Sequence, residues 1–238
     1  TLFPTRRSSD LDLAPTQRCN YVNLGSTEYL EAWELQKQLT GEVASGNINN
    51  TLLLLEHPHT FTLGRRGKRE DVLVTDDKIS AIGASLHEVD RGGEATYHGP
   101  GQIIAYPIIN LSEWGGPIKY VRCLEKIIIN TLSDFNISSG QIEGLTGVWT
   151  DGDKIASIGV RISRGIASHG FSLNVNTDLS YFNHIVPCGM TSRGITSMHN
   201  SIQKEIDMDL VRYSIVYHFG KETGLKMEQH SGISTIIE

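Results

Sequence analysis

Arg91-Gly92-Gly93-Glu94-Ala95-Thr96-Tyr97-His98-Gly99-Pro100-Gly101-Gln102 is the stretch on which the reading of this chain turns, and the apolar run Ile103 to Ile109 follows it at once. Four glycines and a proline let a backbone come close to a ligand, and they bracket Arg, Thr, Tyr and His side chains. The composition is that of a binding loop. A phosphate loop would need Gly-Lys-Ser/Thr opening a helix whose N-terminus holds the anion. No Lys-Ser/Thr follows here and the next element reads as a strand, so the dinucleotide fingerprint fails as well. On spacing alone, a ligand-free hairpin connection competes with the binding loop.

Working outward, Ser85 to Asp90 reads as a strand feeding the loop and Gln102 to Asn110 as a strand leaving it. Pro107 cannot donate to a ladder, which predicts a sheet edge, a bulge or a strand end there. Upstream, Ser26 or Thr27 is expected to cap a helix with Tyr29, Ala32, Leu35 and Leu39 on one face, Leu30 and Trp33 widening the stripe, and Gly41 as its stop. Thr51 to Glu56 and Phe61 to Leu63 have strand character. Arg65, Arg66, Lys68 and Arg69 place four positive charges within five residues. Such a run is a solvated loop or a docking patch for an acidic partner.

Downstream, Pro117 opens a helix in which Ile118, Val121, Leu124, Ile128 and Leu132 keep helical spacing, with Cys123 as a packing residue. Asp151-Gly152 predicts a hairpin turn between Val148-Trp149-Thr150 and Lys154 to Ser163. Strict alternation puts Lys154, Ala156, Ile158, Val160 and Ile162 on one face, with Ile155 on the other. Ile166 to Asn176 is the next strand. The chain is irregular from Asp178 to Met190, and Asp209 to Phe219 is a helix ended by Gly220.

The totals bound the class. At 238 residues, 39% hydrophobic and 20% charged, the chain is a soluble globular protein with a substantial core. A net charge of −6 disfavours nucleic-acid binding, and no apolar run approaches the roughly 20 residues of a membrane span. Cys19, Cys123 and Cys188 are too few for a disulfide framework, which points to a reducing cytoplasm. Nine histidines are present, but His57-Pro58-His59 is the one close pair and no metal motif accompanies it, so no metal is expected. Residues 1–17 lack a secretory h-region and are expected to be a disordered extension or an artefact. Residues 18–238 read as one domain of mixed strands and helices, and a monomer is the default.

Cys188, between Pro187 and Gly189, is either a small buried hydrophobe or a nucleophile. Nucleophilic use needs thiolate, so a thiol with a pKa of about 8.5 requires a nearby cation or base. His98 and Lys154 are the candidates, and spacing does not choose between them. Otherwise His98 is a hydrogen-bonded loop histidine and Lys154 a strand-end lysine lying along apolar surface.

The loop Arg-Gly-Gly-x-x-Thr-Tyr-His-Gly-Pro-Gly-Gln resembles the signature of the octanoyl-acyl-carrier-protein:protein octanoyltransferases of lipoate biosynthesis, and the likeness runs from about Leu24 to Gly224. The resemblance implies an α+β fold, a single mixed α/β domain of the biotin/lipoate protein ligase-transferase type. In that family a cysteine accepts the acyl group and an adjacent lysine lowers its pKa. The matching motifs here are Pro187-Cys188-Gly189 and Asp153 to Val160, which makes Cys188 and Lys154 the implied catalytic pair. Substrate-lining segments would be Arg91, Gly92, Gly93, Glu94, Ala95, Thr96, Tyr97 and His98; Ser157, Ile158 and Gly159; and Gly170, Phe171 and Ser172. Ser172 stands where the family pattern has Ala.

The implied reaction is double displacement from octanoyl-acyl carrier protein to a lysine of lipoyl domains. Those domains belong to 2-oxoacid dehydrogenase complexes or to the glycine cleavage H protein. Backbone N–H groups near Gly92-Gly93 or Cys188-Gly189 would stabilise the oxyanion, Arg65, Arg66, Lys68 and Arg69 would dock the acidic carrier, and no cofactor is required. Competing readings are an ATP-dependent lipoate or octanoate ligase, for which His-Asp rather than His98-Gly99 is expected, a thioesterase using Cys188, and a non-catalytic acyl-carrier-binding module.

Overall fold

The computed structural model describes residues 17–186 and 193–237. The chain begins with β1 (Arg18–Ser26), α1 (Tyr29–Ala44), β2 (Asn50–Glu56), β3 (Thr60–Leu63), α2 (Asp76–Ala81), β4 (Ser85–Glu88), β5 (Ala95–His98) and β6 (Gln102–Asn110). It continues with α3 (Pro117–Asp134), β7 (Gly140–Ile142), β8 (Leu145–Thr150), β9 (Asp153–Ser163) and β10 (Ile166–Asn174). A 3-10 turn at Leu179–His184 precedes α4 (Met198–Ile202), α5 (Met208–Thr223), β11 (Lys226–Gln229) and α6 (Ser234–Ile237). Of the expected N-terminal extension only Gln17 is described, and its carbonyl accepts the Lys226 N–H at 2.9 Å; residues 1–16 lie outside the described residues.

Eight strands form one mixed sheet in the order β11-β1-β2-β6-β10-β9-β8-β7, and β4-β3-β5 form a second, three-stranded sheet. On one face of the large sheet, α1 closes a core of Ala32, Leu39, Leu53, Leu55, Ile104 and Ile108. On the other, α3 and α5 cover Leu52, Leu54, Ile103, Ala105, Phe171 and Leu173. The even and odd positions of β2, β6 and β10 thus feed opposite layers, as the period of two requires. Each fully buried Leu or Ile contributes about 1.5–3 kcal/mol. The small sheet has its own cluster around Phe61, Tyr97 and Phe182.

Several expectations are corrected. The α1 N-cap is Glu28 without a side-chain cap, because the Thr27 hydroxyl donates back to the Leu24 carbonyl at 3.3 Å. That helix runs through Gly41, and α5 runs through Gly220 to a left-handed Gly224 (φ +71°). Leu30 and Ile118 are solvent-exposed rather than core residues, while Gln36 is buried in α1, its Oε1 accepting the His169 N–H at 2.7 Å.

Pro107 is not at an edge. It lies in β6 between β2 and β10, where the β6–β10 register lapses between Ala105↔Phe171 and Ile109↔Ala167. His169, across from it, adopts φ +54° and sends its N–H to Gln36 instead of the ladder. In β9 the register against β8 slips between Lys154↔Trp149 and Ala156↔Val148. Ile155 is the extra residue of a bulge and joins Ala156 in the same core, which cancels the strict alternation. The turns at Asp151-Gly152 and Arg164-Gly165 are left-handed at both positions, as two-residue hairpins favour.

Candidate active site

β5, β9 and β10 converge under the glycine loop. Gly159 faces Gly170 across β9 and β10, and a Cβ at Gly159 would come within 2.8 Å of the Gly92 carbonyl. The loop therefore rests directly on the strand, and Gly92 completes the contact by donating its N–H to the Val160 carbonyl at 3.0 Å. That bond removes Gly92 from the expected oxyanion donors.

An inner cavity of about 30 Å³ is lined by Arg91, Gly92, Gly93, Thr96, His98, Ser157, Ile158, Gly159, Gly170, Phe171 and Ser172, with Tyr106 and His169 added. The volume admits only a water or two. Of the loop residues singled out in the sequence, Glu94, Ala95 and Tyr97 are not in this lining. Alternation along β5 explains it for two of them: Thr96 and His98 turn to the cavity, while Ala95 and Tyr97 join the core of the small sheet. Glu94 faces Arg66, at 3.8 Å. Arg91 is a staple, its guanidinium donating to Thr62 Oγ1, the Thr62 and Glu94 carbonyls and the Gly92 carbonyl.

The imidazoles here are held neutral. Burial, then the neighbouring His57, pushes His98 well below its usual range. Its Nδ1 lies 2.8 Å from Gln102 Oε1. Because the Gln102 amide donates to Asn174 Oδ1 and the Tyr97 carbonyl, that oxygen must accept, which makes Nδ1 the donor. Burial lowers His57 to about 4 despite its bond to Thr27. Its Nδ1 donates to the Thr27 carbonyl at 2.7 Å, leaving Nε2 to accept from Tyr106 at 2.9 Å. His169 is also lowered by burial and donates Nε2–H to Asp90 Oδ1 at 2.8 Å. Burial pushes Asp90 up, but His169, Arg161 and Trp33 outweigh it and hold the carboxyl below its usual range.

An outer cavity of about 350 Å³ shares Gly92, Gly93, Ile158 and Gly159 with the inner one and adds Lys154, Arg66, Val121, Gly144 of the β7–β8 turn and Leu145 and Thr146 at the start of β8. Lys154 is buried, at 4% exposure, with Nζ 5.4 Å from the Trp149 ring centre. The backbone around it is bracketed: Lys154 N–H donates to the Gly194 carbonyl at 3.0 Å, and Thr196 N–H donates to the Lys154 carbonyl at 2.9 Å. Asn174 Nδ2 reaches the Thr196 carbonyl at 2.9 Å, so a hydrogen-bond chain runs His98–Gln102–Asn174–Thr196–Lys154 between the cavities.

Cys188, with Pro187 and Gly189, lies outside the described residues. The chain before it is held by the Val186 N–H to the Asp71 carbonyl at 2.7 Å, and the chain after it by the Gly194 N–H to Asp153 Oδ1 at 3.0 Å. In the basic loop, Arg69 is tied to the Val72 and Val74 carbonyls and to Asp76 at 2.9 Å. Arg65 and Lys68 are exposed. Tyr106, His169 and Asp90 are the participants the sequence reading missed, and a histidine directly before Gly170 was the available signal. Among the described residues no His/Cys/Asp/Glu group could hold a metal, and no helix is long and apolar enough to cross a membrane.

The fold is shared with lipoate protein ligases of known structure. A crystal structure of lipoate-protein ligase A bound with ATP superposes with a TM-score of 0.75 over 91% of this chain and 90% of that one, at 15% identity. Residues 28–220 match the lipoyl protein ligase A/B catalytic domain. An octanoyltransferase of Acidobacterium capsulatum is 45% identical over 86% of this chain and 90% of its own length. One of Solibacter usitatus is 46% identical over 86% and 93%. The chain belongs to the lipoyl protein ligase A/B catalytic domain family, among its octanoyltransferases, and is an acyltransferase.

Proposed function

We propose that this chain moves an octanoyl group from the phosphopantetheine thioester of acyl carrier protein to a lysine of a lipoyl domain, through a thioester on Cys188. The observation that carries the reading is the anchoring of Lys154. A buried lysine whose backbone is bracketed by Gly194 and Thr196 stands in an open cavity beside the glycine loop. The strand containing it is thereby tied to the chain that follows Cys188. His98 is the weaker base, being neutral and engaged with Gln102.

The resting pair is Cys188 thiolate with Lys154 ammonium. Thiolate attacks the octanoyl carbonyl, the bond to the pantetheine sulfur breaks, and the Lys154 ammonium protonates the leaving thiolate. The acceptor lysine amine then attacks the acyl-cysteine. A C–N bond forms, the C–S bond breaks, and the Lys154 amine takes the proton, restoring the pair. With Gly92 engaged, Gly93 and the backbone at Cys188-Gly189 are the oxyanion donors. Ser157, Ile158, Gly159, Gly170, Phe171 and Ser172 line the acyl path with Gly92, Gly93, Thr96 and His98. Acceptors are lipoyl domains of 2-oxoacid dehydrogenase complexes or the glycine cleavage H protein, in the cytoplasm.

Intact-protein mass spectrometry after mixing with octanoyl-acyl carrier protein, without ATP, tests this. One octanoyl adduct that hydroxylamine removes, that a lipoyl domain discharges and that Cys188→Ala never forms is the expected result. Modification of the lipoyl domain only with free octanoate and ATP would refute it in favour of a ligase.

A further inference from the structure

α3 carries a fully buried carboxylate, Glu125, among the buried apolar residues Leu124, Ile127 and Ile128. A buried carboxylate persists only where charge and hydrogen bonds compensate its lost hydration. Glu125 Oε2 accepts from Arg122 at 2.6 Å and from the Gln141 amide at 2.8 Å, and Oε1 accepts the Gly147 backbone N–H at 3.2 Å. Two of these partners belong to the β7–β8 hairpin. The carboxylate is therefore a tether between the helix and that hairpin.

The same hairpin grips Lys154. Gly147 adopts φ +134°, and a Cβ there would come within 2.7 Å of Lys154 Cε and 2.7 Å of the Ala156 carbonyl. β8 thus runs against the lysine stem so closely that no methyl fits between them. Two residues along β8, Trp149 presents its ring to Nζ. Gly144, Leu145 and Thr146 form a wall of the cavity in which the lysine stands, where Arg66 is the other charged group.

We propose that Glu125 is a positioning residue for Lys154: by fixing Gly147 and Gln141 it sets the hairpin that holds the ammonium toward the outer cavity. The inference rests on the reading of Lys154 as the partner of Cys188. It assigns Glu125 no contact with substrate.

The test is the pH dependence of Cys188 alkylation by iodoacetamide in the full chain, read by peptide mass spectrometry, together with kcat and KM for octanoyl transfer. Lys154→Ala should move the alkylation midpoint up by about one pH unit or more. Glu125→Ala should move it the same way and lower kcat about 10- to 100-fold with little change in KM. Glu125→Gln should restore most of both, because its amide oxygen still accepts from Gly147, Gln141 can reverse its own amide to match, and the half-exposed Arg122 can turn its guanidinium to water. Gln141→Ala, at an exposed position, should give a smaller shift in the same direction and keeps the test open if Glu125→Ala does not fold.

A Lys154→Ala shift with wild-type midpoints in Glu125→Ala and Gln141→Ala overturns the positioning role alone. A Lys154→Ala profile identical to wild type overturns the lysine–cysteine pairing, and the inference with it.

Discussion

The two cavities share a floor of Gly92, Gly93, Ile158 and Gly159, yet their linings differ in kind. The inner one is about 30 Å³, walled by imidazoles that burial keeps neutral. The outer one is about 350 Å³ and holds the cations Lys154 and Arg66. An apolar chain is best received where charge is already satisfied, as the Arg91 guanidinium is by Thr62, Gly92 and Glu94, and a thiolate is best supported where a cation stands close. On the proposed mechanism, bond-making belongs to the outer cavity and the acyl chain lies along the shared floor of Gly92, Gly93, Ile158 and Gly159, with the inner cavity, at about 30 Å³, having to widen to take its tail.

That assignment is most directly broken by exchanging the roles. Lys154→Ala should lower octanoyl transfer about 10²- to 10⁴-fold, the range for a lost general acid–base group. His98→Gln should cost about tenfold or less and fall mainly on KM. Steady-state kinetics with octanoyl-acyl carrier protein decides it; the opposite ranking would move the chemistry into the inner cavity.

The buried imidazoles in the inner cavity and behind it, where His57 bonds the lining residue Tyr106, also make a stability prediction whose sign is fixed. His57 has its folded pKa lowered from 6.5 to about 4, so below pH 6.5 the unfolded chain binds a proton that the folded one refuses. Stability should fall as pH drops from 6.5 towards 4, by about 3 kcal/mol at most for this residue. His98 and His169 act in the same direction. Urea unfolding across that window should show the slope, and His57→Gln should flatten it.

Gly170→Ala sharpens the comparison from the packing side. The added Cβ would strike the Ala105 carbonyl and approach Pro107 Cδ at 2.6 Å. These are backbone and ring atoms of a central strand and cannot swing away. Overpacking of this kind costs about 1–3 kcal/mol, measurable as a shift of the urea midpoint at unchanged slope. Loss of acyl-enzyme formation should accompany it, because the displaced strand carries Phe171 and Ser172.

The sequence was legible where a local rule governs the chain and opaque where partners are distant. Gln102–Asn110, the Asp151-Gly152 turn and the helix opened by Pro117 are set by neighbours along the chain, and they appear as expected. β1 and β11 pair in parallel across some two hundred residues, and nothing in Arg18–Ser26 alone announces a partner so remote. Gly41 and Gly220 read as stops, but burial of Val43 beyond the first and the bonds of Glu222 to Lys126 and Asn130 beyond the second outweigh about 1 kcal/mol of glycine propensity. In the site, the motif indicated Arg91 to His98 as a block. The pleat of β5 then divided it, a distinction carried by pairing with β3 and not by the motif. His169 was hidden because its left-handed backbone depends on Pro107 and Gln36, neither adjacent in sequence.

The smallest effect concerns the basic loop, which reaches the outer cavity through Arg66 and whose four basic residues are not equivalent. Arg69 is consumed locally by two carbonyls and Asp76, and Arg66 faces Glu94 at 3.8 Å. Arg65 and Lys68 are exposed and form no ion pair among the described residues. Charge reversal at Arg65 and Lys68 should therefore raise KM for an acidic carrier about 3- to 10-fold at low salt, acting through association and leaving kcat unchanged. The difference should shrink as salt shortens the Debye length to about 8 Å near 0.15 M. Arg69→Glu should instead loosen the 69–76 turn, with an effect that salt does not erase. Equal salt dependence for all three variants would mean that the loop acts as one diffuse patch, and that the pairing of Arg69 with Asp76 has no bearing on docking.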